Sequence, residues 1–253
     1  MKRFRLNLAY DGTPYEGWQN QGADARTVQG ELEQALSQLL HHPTNLVGAG
    51  RTDSGVHARS QTAHFEAAST RMDGLAFQRG LNSLLPRSIR VLSCQEVSEN
   101  FHARFSALAR VYHYYLQPNE VILPWDRSWV TPATKIPPLV RLNAMAHHLH
   151  GEQDFTTFSH AQDPSKSRSR FIYQASWFAW RDRIVFRIAG NAFLWRMVRS
   201  LVGTMLAFGC NPDAETLFAD AFASRDRLKA GPTAPAEGLF LHKVVYHAHE
   251  FSL

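Results

Sequence analysis

Cysteine is scarce: Cys94 and Cys210 are the only two in 253 residues, too few for a disulfide framework or a Cys-rich zinc site. They read as two buried thiols in a chain suited to a reducing compartment. Long hydrophobic runs are absent too, and Met1-Lys2-Arg3 leads straight into an alternating pattern instead of the apolar core of a signal peptide. The expectation is a soluble, cytoplasmic protein with no membrane partner. No tract is of low complexity, and 44% hydrophobic residues argue against intrinsic disorder. The chain can build one large domain or two smaller ones. Its 13 histidines, among them His41-His42, His147, His148 and His150, and His242, His247 and His249, fall in no recognised ligand motif. They read as surface or strand histidines, and no metal is expected.

What is present begins with a basic balance: 27 Lys and Arg against 22 Asp and Glu, a formal charge of +5 that favours phosphate-bearing partners. Phe4, Leu6, Leu8 and Tyr10 alternate with polar residues, the period-two mark of a half-buried strand, and Asp11-Gly12-Thr13-Pro14 ends it in a turn. Val28, Leu32, Ala35, Leu36, Leu39 and Leu40 share a helical face behind a Thr27 cap. Apolar segments at Leu46 to Ala49 and Thr62 to Phe65 flank a polar loop, and a helix around Phe77, Leu81, Leu84 and Leu85 leads to a strand at Ile89 to Val97. That is a β-α-β-β-α-β series, the ferredoxin-like split unit. The series runs again: strand 111–116, helix 139–149, strands near 155–158 and 184–188, helix 193–208, strand 239–246. The expected fold is therefore α/β (α+β), two ferredoxin-like halves, 1–108 and 109–253, around a central basic cleft.

The loop between the two apolar segments, Gly48-Ala49-Gly50-Arg51-Thr52-Asp53-Ser54-Gly55-Val56-His57-Ala58, combines glycines that allow close backbone approach with a cation two residues from a carboxylate. Arg51 can hold Asp53 ionised for use as a nucleophile or base. Taken alone, such a turn is more often structural than catalytic. Lys166, Arg168 and Arg170 alternate with serines after Asp163-Pro164, and Arg181, Arg183 and Arg187 follow on a hairpin, a spacing that suits a phosphate-contacting arm as well as a solvated turn.

Gly50 to Ala58 closely resembles the active-site motif of the TruA family of tRNA pseudouridine synthases. The resemblance extends to Tyr10-Asp11-Gly12-Thr13 with Gly17-Trp18-Gln19-Asn20-Gln21, to Thr27-Val28-Gln29, and to Phe101-His102-Ala103-Arg104-Phe105-Ser106 with Arg110-Val111-Tyr112-His113-Tyr114. Gly190-Asn191-Ala192-Phe193-Leu194, Met197 to Gly203 and Thr233 to Leu239 extend it through the second half. It departs from the family at Ser54, where Ala is common, and at Trp195-Arg196, to which no role is given. The resemblance implies an isomerase that turns uridine into pseudouridine in the anticodon stem-loop of tRNA, at nucleotide positions 38–40, as a cytoplasmic homodimer without a cofactor. Asp53 is then the catalytic carboxylate, attacking the ribose at C1′ or the base at C6. Tyr112 packs against the target base and supplies an acid-base hydroxyl, Arg104 fills the gap left by the flipped nucleotide, Arg199 pairs with Asp53, and Arg51 orients the loop or a phosphate. Two rivals remain at this point: a pure RNA-binding module, which basic charge and aromatics serve equally well, and a hydrolase using Asp53 as base with a His-bound metal.

Overall fold

The computed structural model describes residues 1–21, 25–68, 70–119 and 121–251. Among them are ten strands and five helices, so the chain is an α/β (α+β) protein, dividing into two compact units, Met1–Arg110 with Phe240–Leu253, and Val111–Leu239. None of the helices is long and apolar enough to cross a membrane.

Unit 1 opens with β1 (Lys2–Tyr10), α1 (Val28–Leu40), β2 (Val47–Gly48), β3 (His57–Ala67), α2 (Gly74–Leu84) and β4 (Ile89–Val97). β1 lies between β4 and β3, antiparallel to both, and β2 pairs antiparallel with β3, which is the split β-α-β-β-α-β arrangement. The alternation of β1 sends Phe4, Leu6 and Leu8 into the core, where Phe4 meets Phe65 and Phe77 at ring-centroid distances of 5.5 and 4.7 Å. Val28, Leu32, Ala35 and Leu36 of α1 are buried, and the Thr27 hydroxyl caps the helix by accepting from the Gly30 amide.

Unit 2 holds most of β5 (Ala109–Gln117), then β6 (Thr131–Pro132), α3 (Leu139–His147), β7 (Gly151–Asp154), β8 (Ser169–Trp180), β9 (Arg183–Gly190), α4 (Met197–Phe208) and α5 (Ala214–Ala223). Its strands lie in the order β5-β9-β8-β7, with β6 on β5. The Asn143 amide fastens α3 to β8 by exchanging hydrogen bonds with the Trp177 backbone at 2.8 and 2.9 Å.

The strand β10 (Leu239–Val245), which the element series counts with the second half, contributes Phe240 and Leu241 to a parallel ladder with His57 and Ala58 of unit 1. The Val245 carbonyl accepts from the Leu108 amide, and the Tyr246 hydroxyl donates to the Ala103 carbonyl. Some expectations need correction. The segment 155–158 is not a strand: Thr156–Phe158 is a 3₁₀ turn, whose i, i+3 geometry sends Phe155 and Phe158 together toward Phe222 at 5.2 and 5.3 Å. The strand near this position is β7, which ends at Asp154, and β8 follows further along. The helix expected from residue 193 begins at Met197, because Arg196 takes a left-handed backbone (φ 61°). Nor are both thiols buried: Cys94 is half-buried, with burial and then Asp73 pushing its pKa up to about 12, and Cys210 is exposed.

Candidate active site

Asp53 sits half-buried on the loop between β2 and β3, and that loop is fixed at nearly every residue. The Ala49 amide donates to the Thr62 carbonyl at 2.8 Å, and the Gln61 side chain donates to the Gly50 carbonyl at 2.8 Å. The Tyr10 and Thr52 hydroxyls share a 2.9 Å hydrogen bond, and the Thr52 carbonyl accepts from the Trp18 amide at 3.0 Å. Beyond Asp53, whose carbonyl accepts from Val56 at 3.1 Å, the Ser54 hydroxyl and Gly55 amide both donate to the Tyr15 carbonyl. The Ser54 hydroxyl, where the family commonly has Ala, therefore helps close the loop.

The residues after β1 press against this loop closely enough to require glycine. Gly17 has φ +101°, and a Cβ there would lie 2.7 Å from the Thr52 carbonyl oxygen. A Cβ on Gly12 would stand 2.1 Å from the Val56 carbonyl oxygen. Sequence reading gave no role to Arg110 or Gln61, yet the buried Arg110 guanidinium donates to the Ala49 carbonyl at 2.8 Å and to the Arg104 carbonyl at 2.6 Å. One side chain thus joins the backbone of the Asp53 loop to that of Arg104. Arg104 itself is exposed, its guanidinium 5.7 Å from the Phe105 ring centroid, and Arg51 is exposed on the Asp53 loop. Asp53, Arg51 and Arg104 therefore belong to one scaffold in unit 1.

The other expected site residues belong to unit 2. Tyr112 is buried on β5 with its ring edge-on to Phe193 at 5.1 Å. Arg199, in the first turn of α4, donates from Nε to the Ala234 carbonyl at 2.8 Å while its own carbonyl accepts from the Ala234 amide. Lys166 is exposed, whereas Arg168 pairs with Asp163 at 3.3 Å and Arg170 donates to the Ser167 carbonyl and the Ser165 hydroxyl. Among the described residues no group of His, Cys, Asp and Glu is arranged to hold a metal ion.

A family model described as tRNA pseudouridine synthase matches residues 8–106 and 145–247, taking in both the Asp53 loop and the Arg199 helix. The chain belongs to this family. As a member of it, the protein is an isomerase that converts uridine in tRNA to pseudouridine. The family is equally evident over the full length. A tRNA pseudouridine synthase A from Treponema denticola is 45% identical over 97% of this chain and 93% of its own length. Those from Coxiella burnetii and Solidesulfovibrio magneticus are 40% and 42% identical, over 97% and 98% of this chain and 94% and 92% of theirs. A solved Cbf5-Nop10-Gar1 complex aligns with 80% of this chain and 45% of its own at 12% identity and a TM-score of 0.36, too distant to bear on the fold.

Proposed function

We propose that the reaction runs through Asp53 on uridines of the tRNA anticodon stem-loop, positions 38–40, in a cytoplasmic homodimer. The observation that carries this reading is a carboxylate held half-exposed on a loop whose flanking carbonyls, at Ala49, Gly50, Thr52 and Asp53, are all engaged by the surrounding protein. A nucleophile gains rate from being held in place, and the backbone on both sides of this one is hydrogen-bonded.

The chemistry asks for little beyond positioned side chains. The N1–C1′ glycosidic bond breaks, the base turns, C5 bonds to C1′, and the proton on C5 leaves while N1 takes one up. Asp53 attacks C1′ or C6 to open this path, and either route requires the nucleotide to be flipped out of its stack and shielded from water. Tyr112 packs on the base and moves a proton through its hydroxyl. Arg104, tied to the catalytic loop through Arg110, fills the place of the flipped nucleotide. Arg199 pairs with the Asp53 carboxylate, Arg51 orients the loop or a phosphate, and Lys166, Arg168 and Arg170 contact the RNA backbone. No cofactor takes part.

Asp53→Asn tests the proposal. The amide is nearly isosteric with the carboxylate but a poor nucleophile and base, so tritium release from uridine-labelled tRNA should stop while filter binding and the melting temperature stay near wild type. Residual turnover in a preparation free of wild-type enzyme removes Asp53 from its role. Joint loss of binding and melting stability makes it a structural residue instead.

A further inference from the structure

Unit 2 contains a cavity of about 220 Å³, lined among others by Ser159, His160, Arg196, Ser200, Arg227 and Thr233, to which none of the roles above is assigned. It lies at the N-terminus of α4, whose positive dipole end is not capped by a side-chain hydrogen bond from the N-cap residue, Arg196. Ser200, in the first turn of that helix, lines the cavity and is 1% exposed, and its hydroxyl has no hydrogen-bond partner among the described residues. A buried hydroxyl is rarely left unmatched in a native protein, and an oxyanion in the cavity would accept a hydrogen bond from it.

The remaining lining points the same way. Arg227 is held by its hydrogen bonds to the Gly231 carbonyl and the Thr233 hydroxyl, both at 3.1 Å. Arg196 and Ala161, also in the lining, are exposed, and the Arg196 guanidinium lies over the Trp195 ring at 5.4 Å. His160 accepts at Nδ1 from the Gln162 amide, which leaves Nε2 as the proton-bearing, donating nitrogen. Among the described residues no carboxylate lines the cavity. The nearby ones are engaged elsewhere: Asp163 with Arg168, Ser165 and Trp195, and Asp226 with the Leu228 amide.

We propose that this cavity is a phosphate-binding site, with Ser200 as its buried donor and Arg196 and Arg227 as its charges. Two guanidinium groups, a hydroxyl, an imidazole and a helix N-terminus around one small space match a tetrahedral oxyanion better than a planar carboxylate. The phosphate comes either from the backbone of bound RNA, which rests on the tRNA reading above, or from free inorganic phosphate.

The test follows melting of the full chain with inorganic phosphate against chloride at matched ionic strength, and repeats it for Arg196→Gln and Ser200→Ala. Millimolar phosphate should raise the wild-type melting temperature by a few degrees. Each substitution should weaken the phosphate affinity about tenfold or more, in keeping with a lost charge-assisted hydrogen bond. Without phosphate, Ser200→Ala should melt no lower than wild type, since the hydroxyl it removes has no partner among the described residues, and this keeps misfolding apart from lost binding. Phosphate that stabilises no better than chloride, or a phosphate shift that survives both substitutions, overturns the proposal. Phosphate that also displaces tRNA from wild type but not from Arg196→Gln identifies the RNA backbone as the source, and stabilisation without displacement identifies the free anion. The melting arm needs neither RNA nor turnover, so its result stands apart from that of Asp53→Asn.

Discussion

Tyr112 and His64 show how much a single buried ring can be asked to do. The Tyr112 ring is packed edge-on to Phe193, so Tyr112→Phe keeps that contact and loses only the hydroxyl. If the hydroxyl moves the proton, kcat should fall by about 10²-fold or more while tRNA affinity barely changes, a split that single-turnover kinetics and filter binding read separately. His64 is buried on β3 and accepts the Ala103 amide hydrogen bond at Nδ1. Burial first, then the neighbouring His102 and Arg3, lower its pKa from 6.5 to about 4. The unfolded chain therefore binds a proton between those two values that the native protein refuses. Stability from this residue is complete above about pH 6.5 and is lost as the pH falls toward 4. A loss on the order of 2 kcal/mol is expected over that window, and urea melts of His64→Gln should show a flatter pH dependence across it. An unchanged slope in the variant assigns the acid sensitivity to other groups.

At the level of the element, the close approach of the Asp11–Trp18 segment to the Asp53 loop makes Gly17 the position at which the proposed role of that loop is tested through its geometry. Gly17→Ala must either move off φ +101° or push away the Thr52 carbonyl, so it should destabilise the fold by about 1–3 kcal/mol and slow turnover even at temperatures where the protein is folded. Asp73→Ala is the matched control: it removes the cap that accepts from the Ala76 amide of α2, costing about 1 kcal/mol, and should leave kcat unchanged. Equal effects of both substitutions on kcat would separate the Gly17 contact from catalysis. β1 and α1 were legible in the sequence because period and cap coincide with burial: Phe4, Leu6 and Leu8 on one side of β1, and Thr27 at the head of α1. The 3₁₀ turn at Thr156–Phe158 was not, since a short aromatic segment carries no period, and α5 went unread although Ala214, Phe218 and Ala221 lie on its buried face. In the site, Asp53 stood out by motif. Arg110 and Gln61 did not, because they act on backbone carbonyls, which have no sequence signature.

For the whole molecule, a net charge of +5 implies that much of the tRNA affinity comes from displaced counterions, so log affinity should fall steeply and linearly with log salt concentration. Lys166→Ala is the cleanest single probe because Lys166 is exposed, whereas Arg168 also holds Asp163. It should reduce the slope by about one, and an unchanged slope places Lys166 off the RNA path. The division of the chain also bears on how the protein is born. Unit 1 takes its last ladder from Phe240 and Leu241, yet all of Val111–Leu239 is translated between Arg110 and that strand. At roughly 5–20 residues per second, the ribosome spends about 6 to 26 s making the intervening unit. Throughout that interval the emerging β3 exposes the edge at His57 and Ala58 that Phe240 and Leu241 will cover, an opening for a chaperone or for a neighbouring nascent chain. Asp53 lies only a few residues from that edge, so the part of the protein translated first cannot take its final form until nearly everything else has been made.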